Sequence, residues 1–240
     1  MSVIEWKKEG GVAVVTMCNG ANRQNQEFAK QMNRCFDEIL EDTSLSSVIL
    51  TSSDEKNFSQ GIDIEWMGQK MQDQDFETIK SFMYGMNGIF KRILLMPIPV
   101  IAAINGHAFG NGAILACACD FRFMRKDKGF FCFPEVDVSI PFLPGMIAFV
   151  RKAIPEYQFN EMLLSGKRMT AEALAASNVI MKACDNQDAL MTEAMAFANT
   201  FMKKRGIFGE LKKRIHKNLV HIIDTQDPVH IDALDLFVQE

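Results

Sequence analysis

Histidine is scarce in this chain, and none of its four residues (His107, His216, His221 and His230) stands at metal-ligand spacing from another. His216 and His221 are five apart and fall on different faces of a helix, so no metal site is expected. The cysteines Cys18, Cys35, Cys117, Cys119, Cys132 and Cys184 contain no Cys-X-X-Cys pair and no regular spacing. That excludes a disulfide framework and predicts a reducing compartment, the cytoplasm. No apolar run is long enough to span a bilayer, and the residues up to Gly11 lack the apolar stretch of a signal peptide. The chain ends Phe237-Val238-Gln239-Glu240, without a peroxisomal tripeptide. An excess of positive charge is missing too. The formal net charge is −4, which argues against nucleic acid as a partner but leaves room for a local basic site.

What the chain does have is apolar content. Hydrophobic residues make up 48% and charged residues 23% of 240 positions, enough to bury a sizeable core without staples. Val12 to Met17 and Ser47 to Thr51 read as strands. Between them Phe28, Met32, Cys35, Phe36, Ile39 and Leu40 recur at helical spacing, with Asn25 as N-cap. A long amphipathic helix runs from Phe76 to Ile93 and stops before Pro97 and Pro99. The nearly unbroken apolar run from Pro99 to Ile104 predicts a strand covered on both faces. Further strands are expected over Asp120–Met124 and Phe130–Phe133, and helices from about Ile140, from Thr170, over Ala189–Lys203 and over Gly209–Ile223. Strand, turn and helix alternate, which makes the fold class α/β. The division expected is a core over residues 1–185 and a helical region over 186–240.

Two turns carry the chemistry. Asn105-Gly106-His107-Ala108-Phe109-Gly110-Asn111-Gly112 follows a strand and opens a small-residue helix. Glycine admits close approach to the backbone, and a helix start presents unpaired N–H groups that attract negative charge. The spacing fits neither a phosphate-binding P-loop nor a dinucleotide fingerprint. These glycines therefore either pack strand against helix or receive an anion. A second such turn, Phe58-Ser59-Gln60-Gly61-Ile62-Asp63, shifts the balance toward the anion, because two turns can aim N–H donors at one point. Asp63 is placed as a helix cap. A proton carrier is needed beside them. Glu135 follows an aromatic run and precedes Val136, Val138 and Ile140; it reads either as a solvated strand-end carboxylate or as one whose apolar setting would raise its pKa. Asp137 competes with it: on a strand the two share a face.

These residues together resemble the crotonase, or enoyl-CoA hydratase/isomerase, superfamily. The likeness rests on Asn57 to Asp63, Pro97 to Ala108, Gly110 to Asp120, and Leu164-Ser165-Gly166 with Thr170 to Leu174, in that order along nearly the whole chain. It implies a spiral of ββα units with a helical C-terminal region, a homotrimer or dimer of trimers, and an acyl-CoA thioester substrate. No cofactor is implied beyond the coenzyme A of the substrate. It implies an oxyanion hole from the N–H groups of Gln60 and Asn111, the latter at a place often held by glycine. Where the hydratases carry a first glutamate this chain has Ile114, whereas Glu135 matches the second glutamate, the one retained by Δ3,Δ2-enoyl-CoA isomerases. The chain is similar in particular to the plant-type peroxisomal isomerases. The activity implied is isomerase chemistry with Glu135 moving a proton from C2 to C4. Alternatives are hydration, thioester hydrolysis, dehalogenation, or silent acyl-CoA binding.

Further substrate or coenzyme A contacts are expected at Arg23, Ser59, Gly61, Asp63, Gly110, Phe142 and Lys213. Lys212 and Arg214 beside Lys213 read either as phosphate partners or as a solvated helix face. Met67, Met71, Met83 and Met86 read either as acyl-pocket lining or as core. His107 reads as a satisfied turn histidine without a catalytic part.

Overall fold

The computed structural model describes residues 2–238; Met1, Gln239 and Glu240 lie outside the described residues, and with them half of the C-terminal tetrapeptide. An antiparallel hairpin of β1 (Ile4–Glu9) and β2 (Val12–Met17) opens the fold. β3 (Arg23–Gln24) and α1 (Gln26–Glu41) follow, and Asn25 caps α1 by accepting the Phe28 N–H at 3.1 Å. Next come β4 (Ser47–Ser52), β5 (Asn57–Ser59), β6 (Gly61–Ile62), α2 (Ile64–Gln72) and α3 (Phe76–Leu95). Asp63 caps α2, accepting from Trp66 N–H at 3.2 Å. β7 (Val100–Ile104), β8 (His107–Phe109) and α4 (Asn111–Ala118) form the third unit. β9 (Phe121–Arg125), β10 (Phe131–Cys132), a 3-10 turn at Glu135–Asp137 and α5 (Pro144–Ala153) form the fourth.

The first unit gives β1 and β2, and each later unit one strand, to a six-stranded sheet ordered β1-β2-β4-β7-β9-β11, completed by β11 (Lys182–Cys184). The next strand of the unit goes to a smaller sheet, β10-β8-β5 or β3-β6. From β2 onward the large sheet is parallel. Strand, second strand, helix, repeated, is the spiral of ββα units. The C-terminal region is helical: α6 (Glu156–Ser165), α7 (Ala171–Ala176), α8 (Gln187–Ala198), α9 (Arg205–Thr225) and α10 (Asp227–Ala233).

The unbroken apolar run of β7 follows from this layering. Val100, Ala102 and Ile104 face the main core, while Ile101 and Ala103 face the second core, where α8 buries Leu190, Ala194 and Ala198. Alternate residues of a strand serve opposite faces, and here both faces are covered.

Several helix boundaries differ from expectation; the helix expected from Gly209 starts at Arg205. Residues 140–143 form no regular element and α5 starts at Pro144, because Pro141 holds the preceding residue extended and Pro144 suits a first helical turn. The helix expected to reach Lys203 ends at Ala198.

The far end of α4 is tied down. Lys152, reaching from α5, donates to the carbonyls of Cys117, Ala118 and Cys119 at 3.0, 2.9 and 2.8 Å, and Arg122 donates to Cys119 O at 2.8 Å. These are the last acceptors of the helix, which have no intrahelical donor. Lys152→Met should therefore leave the carbonyls of Cys117 and Ala118 poorly satisfied, Cys119 O keeping Arg122, and cost about 2–3 kcal/mol. That is roughly 4–12 °C in Tm for a chain of this size. A Tm within a degree of the parent protein would reject this account.

Candidate active site

The two turns meet. Gly61 has φ +80°, and a Cβ placed on it would lie 2.8 Å from Phe109 O and 2.9 Å from Asn111 N. Gly110, at φ +53°, is the N-cap of α4, and a Cβ there would lie 3.1 Å from Glu135 Oε1. Ile114 N–H makes the first intrahelical bond, to Gly110 O at 3.0 Å, so Asn111 N–H stands ahead of it among the unpaired donors of the helix start. Around this point lies an apolar cavity of about 80 Å³, with walls that include Gln60, Ile62, Gly110, Asn111, Ile114 and Glu135. It is several times the roughly 10–15 Å³ that one water needs.

Glu135 is the carboxylate of this cavity. Its 3-10 turn buries it to 9% exposure and leaves Asp137 exposed. The expected strand, on which the two would share a face, is not formed: a turn separates what alternation could not. Burial pushes the Glu135 carboxyl up to about 7, with partial opposition from its own backbone N–H. Its Oε2 is buried without a protein partner. A carboxyl near pKa 7 with a free oxygen in an apolar cavity is suited to take and return a proton. Ile114, in the same wall, cannot.

One expected donor is corrected. Gln60 N–H already donates to Ala21 O at 3.0 Å, so it is not free to hold an oxyanion. β6 gives the neighbouring β3 the Asp63 N–H, which donates to Gln24 O at 2.9 Å. Alternation along the strand turns the preceding N–H, that of Ile62, away from β3, and Ile62 lines the cavity. Ile62 N–H, in place of Gln60 N–H, is therefore the candidate donor of the first turn to stand beside Asn111 N–H. Counting from the glycine fixes the turn but not which N–H a distant carbonyl consumes.

The other expected contacts divide. Phe142, Met67 and Met83 line the cavity together with Ile64, Ile140, Met146, Leu236 and Phe237. Met86 is plain core, and Met71 packs against it. Ser59 is wholly buried, donating to Asn22 O at 2.7 Å and accepting from Gly61 N–H at 3.2 Å; it braces the turn and offers nothing to a ligand. Gly61 likewise acts through its missing side chain, and Asp63 is occupied in capping α2. Arg23 is half-exposed, 3.4 Å from Glu65. Lys213 is exposed on α9, outside the cavity wall. Lys212 is not a phosphate partner: it is 4% exposed and bonded to Asp120 at 2.6 Å and Ile93 O at 2.8 Å. His107 is satisfied by the Phe130 N–H at 3.2 Å, with Phe109 and Phe130 against its ring.

Known proteins share this arrangement of chain. The model of the enoyl-CoA hydratase/isomerase family matches residues 7–235. Enoyl-CoA delta isomerase 3 of Arabidopsis thaliana is 25% identical, over 91% of this chain and 94% of that protein. A short-chain-enoyl-CoA hydratase of Clostridium acetobutylicum is 30% identical, over 91% of this chain and 83% of that protein. Among solved structures, an enoyl-CoA hydratase of Bacillus halodurans superposes with a TM-score of 0.87 at 21% identity, covering 96% of this chain and 93% of that one. The chain belongs to the enoyl-CoA hydratase/isomerase family of the crotonase superfamily and has its fold.

Proposed function

We propose that this chain is a Δ3,Δ2-enoyl-CoA isomerase. The observation that carries the reading is that one carboxylate lines the cavity among the described residues: Glu135 lines it, and Ile114 stands where a second proton carrier would be needed to activate water. The thioester oxygen accepts from Ile62 and Asn111 N–H, Glu135 removes a C2 proton, and the charge moves onto the oxygen as a dienolate. The same carboxyl returns the proton at C4, giving the conjugated 2-enoyl thioester. The sequence is redox-neutral and calls for no cofactor beyond the substrate's own coenzyme A. We place the enzyme in the cytoplasm and take its assembly to be a homotrimer or pair of trimers.

The name of the Clostridium relative, a hydratase at 30% identity, favours hydration as the second reading. Incubation with 3-hexenoyl-CoA and, separately, with 2-hexenoyl-CoA decides between them. Ultraviolet conjugation should appear with the first substrate and persist with the second. Loss of conjugation with the second would replace isomerase by hydratase.

The pH profile tests Glu135 itself. The base must be ionised to abstract a proton, and its pKa is raised to about 7. kcat/KM should therefore climb with unit slope at acid pH and level off above about pH 7, since it reports the free enzyme. An acid limb centred near the ordinary carboxylate value of about 4.5 would contradict the burial of this group.

A further inference from the structure

The side chain of Gln24 joins the two turns. It is wholly buried at the end of β3. Its Oε1 accepts from Asn111 Nδ2 at 2.6 Å, on the second turn, and its Nε2 donates to Ser59 Oγ at 3.2 Å, on the first. The orientation of both amides follows from chemistry rather than choice. Ser59 has one hydroxyl proton, which goes to Asn22 O at 2.7 Å, so Ser59 Oγ must accept from Gly61 N–H and from Gln24. Gln24 must then turn its NH₂ to Ser59 and its oxygen to Asn111, and Asn111 must answer with Nδ2. Asn111 Oδ1 is left buried without a partner. An orphaned buried acceptor is destabilising, and a residue without a side chain at this position would avoid it. Stability alone does not account for the pair.

Resting on the reading of Ile62 and Asn111 as oxyanion donors, we propose that Gln24 is a positioning residue that holds the two donors in register. Both ends of its amide end within the turns: one on Asn111 itself, the other on the serine whose oxygen also takes the Gly61 N–H, next to Ile62. With the brace removed, Asn111 keeps its place at the start of α4 but loses the contact that fixes its distance from the first turn. A displacement of about 1 Å between reacting groups costs on the order of 10²-fold in rate.

The experiment compares the parent protein with Gln24→Leu, Asn111→Gly and the double variant. The readouts are kcat, KM and the ultraviolet enolate band of bound acetoacetyl-CoA, a thioester that ionises readily at C2. Butyryl-CoA, which does not, measures ground-state binding. The expected result is a drop of about 10²-fold in kcat for Gln24→Leu with KM and butyryl-CoA affinity little changed, together with a weakened enolate band. Asn111→Gly should lose a similar amount, and the double variant no more than either, because all three lack one and the same brace. The double variant also leaves no unpaired amide from this couple, so it stays testable where Gln24→Leu folds poorly. An undiminished enolate band and kcat in Gln24→Leu, or losses that multiply in the double variant, would overturn the proposal. Absence of an enolate band in the parent protein would instead overturn the oxyanion reading on which it rests.

Discussion

Glu135→Gln should remove most turnover and at the same time make the protein more stable. Glutamine keeps the shape and most of the packing of Glu135, so the cavity and the two N–H donors persist and acyl-CoA binding should be retained. What is lost is the proposed proton carrier, and acid–base transfer contributes about 10²–10⁴-fold. The gain in stability follows from the raised pKa. In the unfolded chain the carboxyl titrates near its ordinary value of 4.5, and in the folded protein at about 7. Between those values the folded state binds more protons than the unfolded one, so stability falls as pH rises through that window, and the penalty is fully present above about 7. Removing the charge relieves up to about 3 kcal/mol at pH 8. The relief should shrink to nothing as pH drops below about 4.5, where both proteins are neutral at this position. Thermal melts of both proteins at pH 8 and pH 5, beside the hexenoyl-CoA assay, measure the two effects together. Lost turnover with lowered Tm at pH 8 would mark Glu135 as a scaffold residue and not the proton carrier.

Much of this fold is legible in the sequence because burial imposes periodicity. The stripe from Phe28 to Ile39 and its Asn25 cap, the strand Val12–Met17 and the doubly covered run of β7 all appear as read. Both turns were legible as well, since glycines at Gly61 and Gly110 are needed where φ is positive. What periodicity does not carry is the identity of partners far along the chain. Gln60 N–H is consumed by Ala21 O, and nothing in the local pattern announces it. The same applies to Gln24, a polar residue beside a helix cap whose buried partners, Ser59 and Asn111, lie in two later units. Lys212 shows the limit from the other side. In sequence it is one of three consecutive basic residues, yet it shares the buried stripe of α9 with Gly209, His216, Leu219 and Ile223. Its helical spacing from those residues was the available signal, and its charge concealed it. Glu135 and Asp137 could not be told apart because a 3-10 turn of three residues has no period to read.

Gly61→Ala should be severely damaging at the site, although it adds one methyl group. The residue sits at φ +80°, which costs a non-glycine residue about 1–3 kcal/mol. The added Cβ would lie 2.8 Å from Phe109 O and 2.9 Å from Asn111 N, and both are backbone atoms that cannot swing aside as a side chain can. Either the first turn withdraws, taking Ile62 N–H with it, or the start of α4 is pushed back. In both cases the proposed pair of donors no longer converges on one oxygen. Loss of one oxyanion donor typically costs 10²–10³-fold in kcat, so turnover should fall by about that factor, with a Tm lowered by roughly 2–12 °C from the backbone strain. Gly68→Ala supplies the contrast. That glycine lies within α2, its φ is not positive, and nothing stands within 4 Å of an added Cβ. Alanine there should stabilise the helix by up to about 1 kcal/mol and leave kcat unchanged. Equal activity in the two variants would mean that the space between Gly61 and Asn111 is not where the thioester oxygen is held.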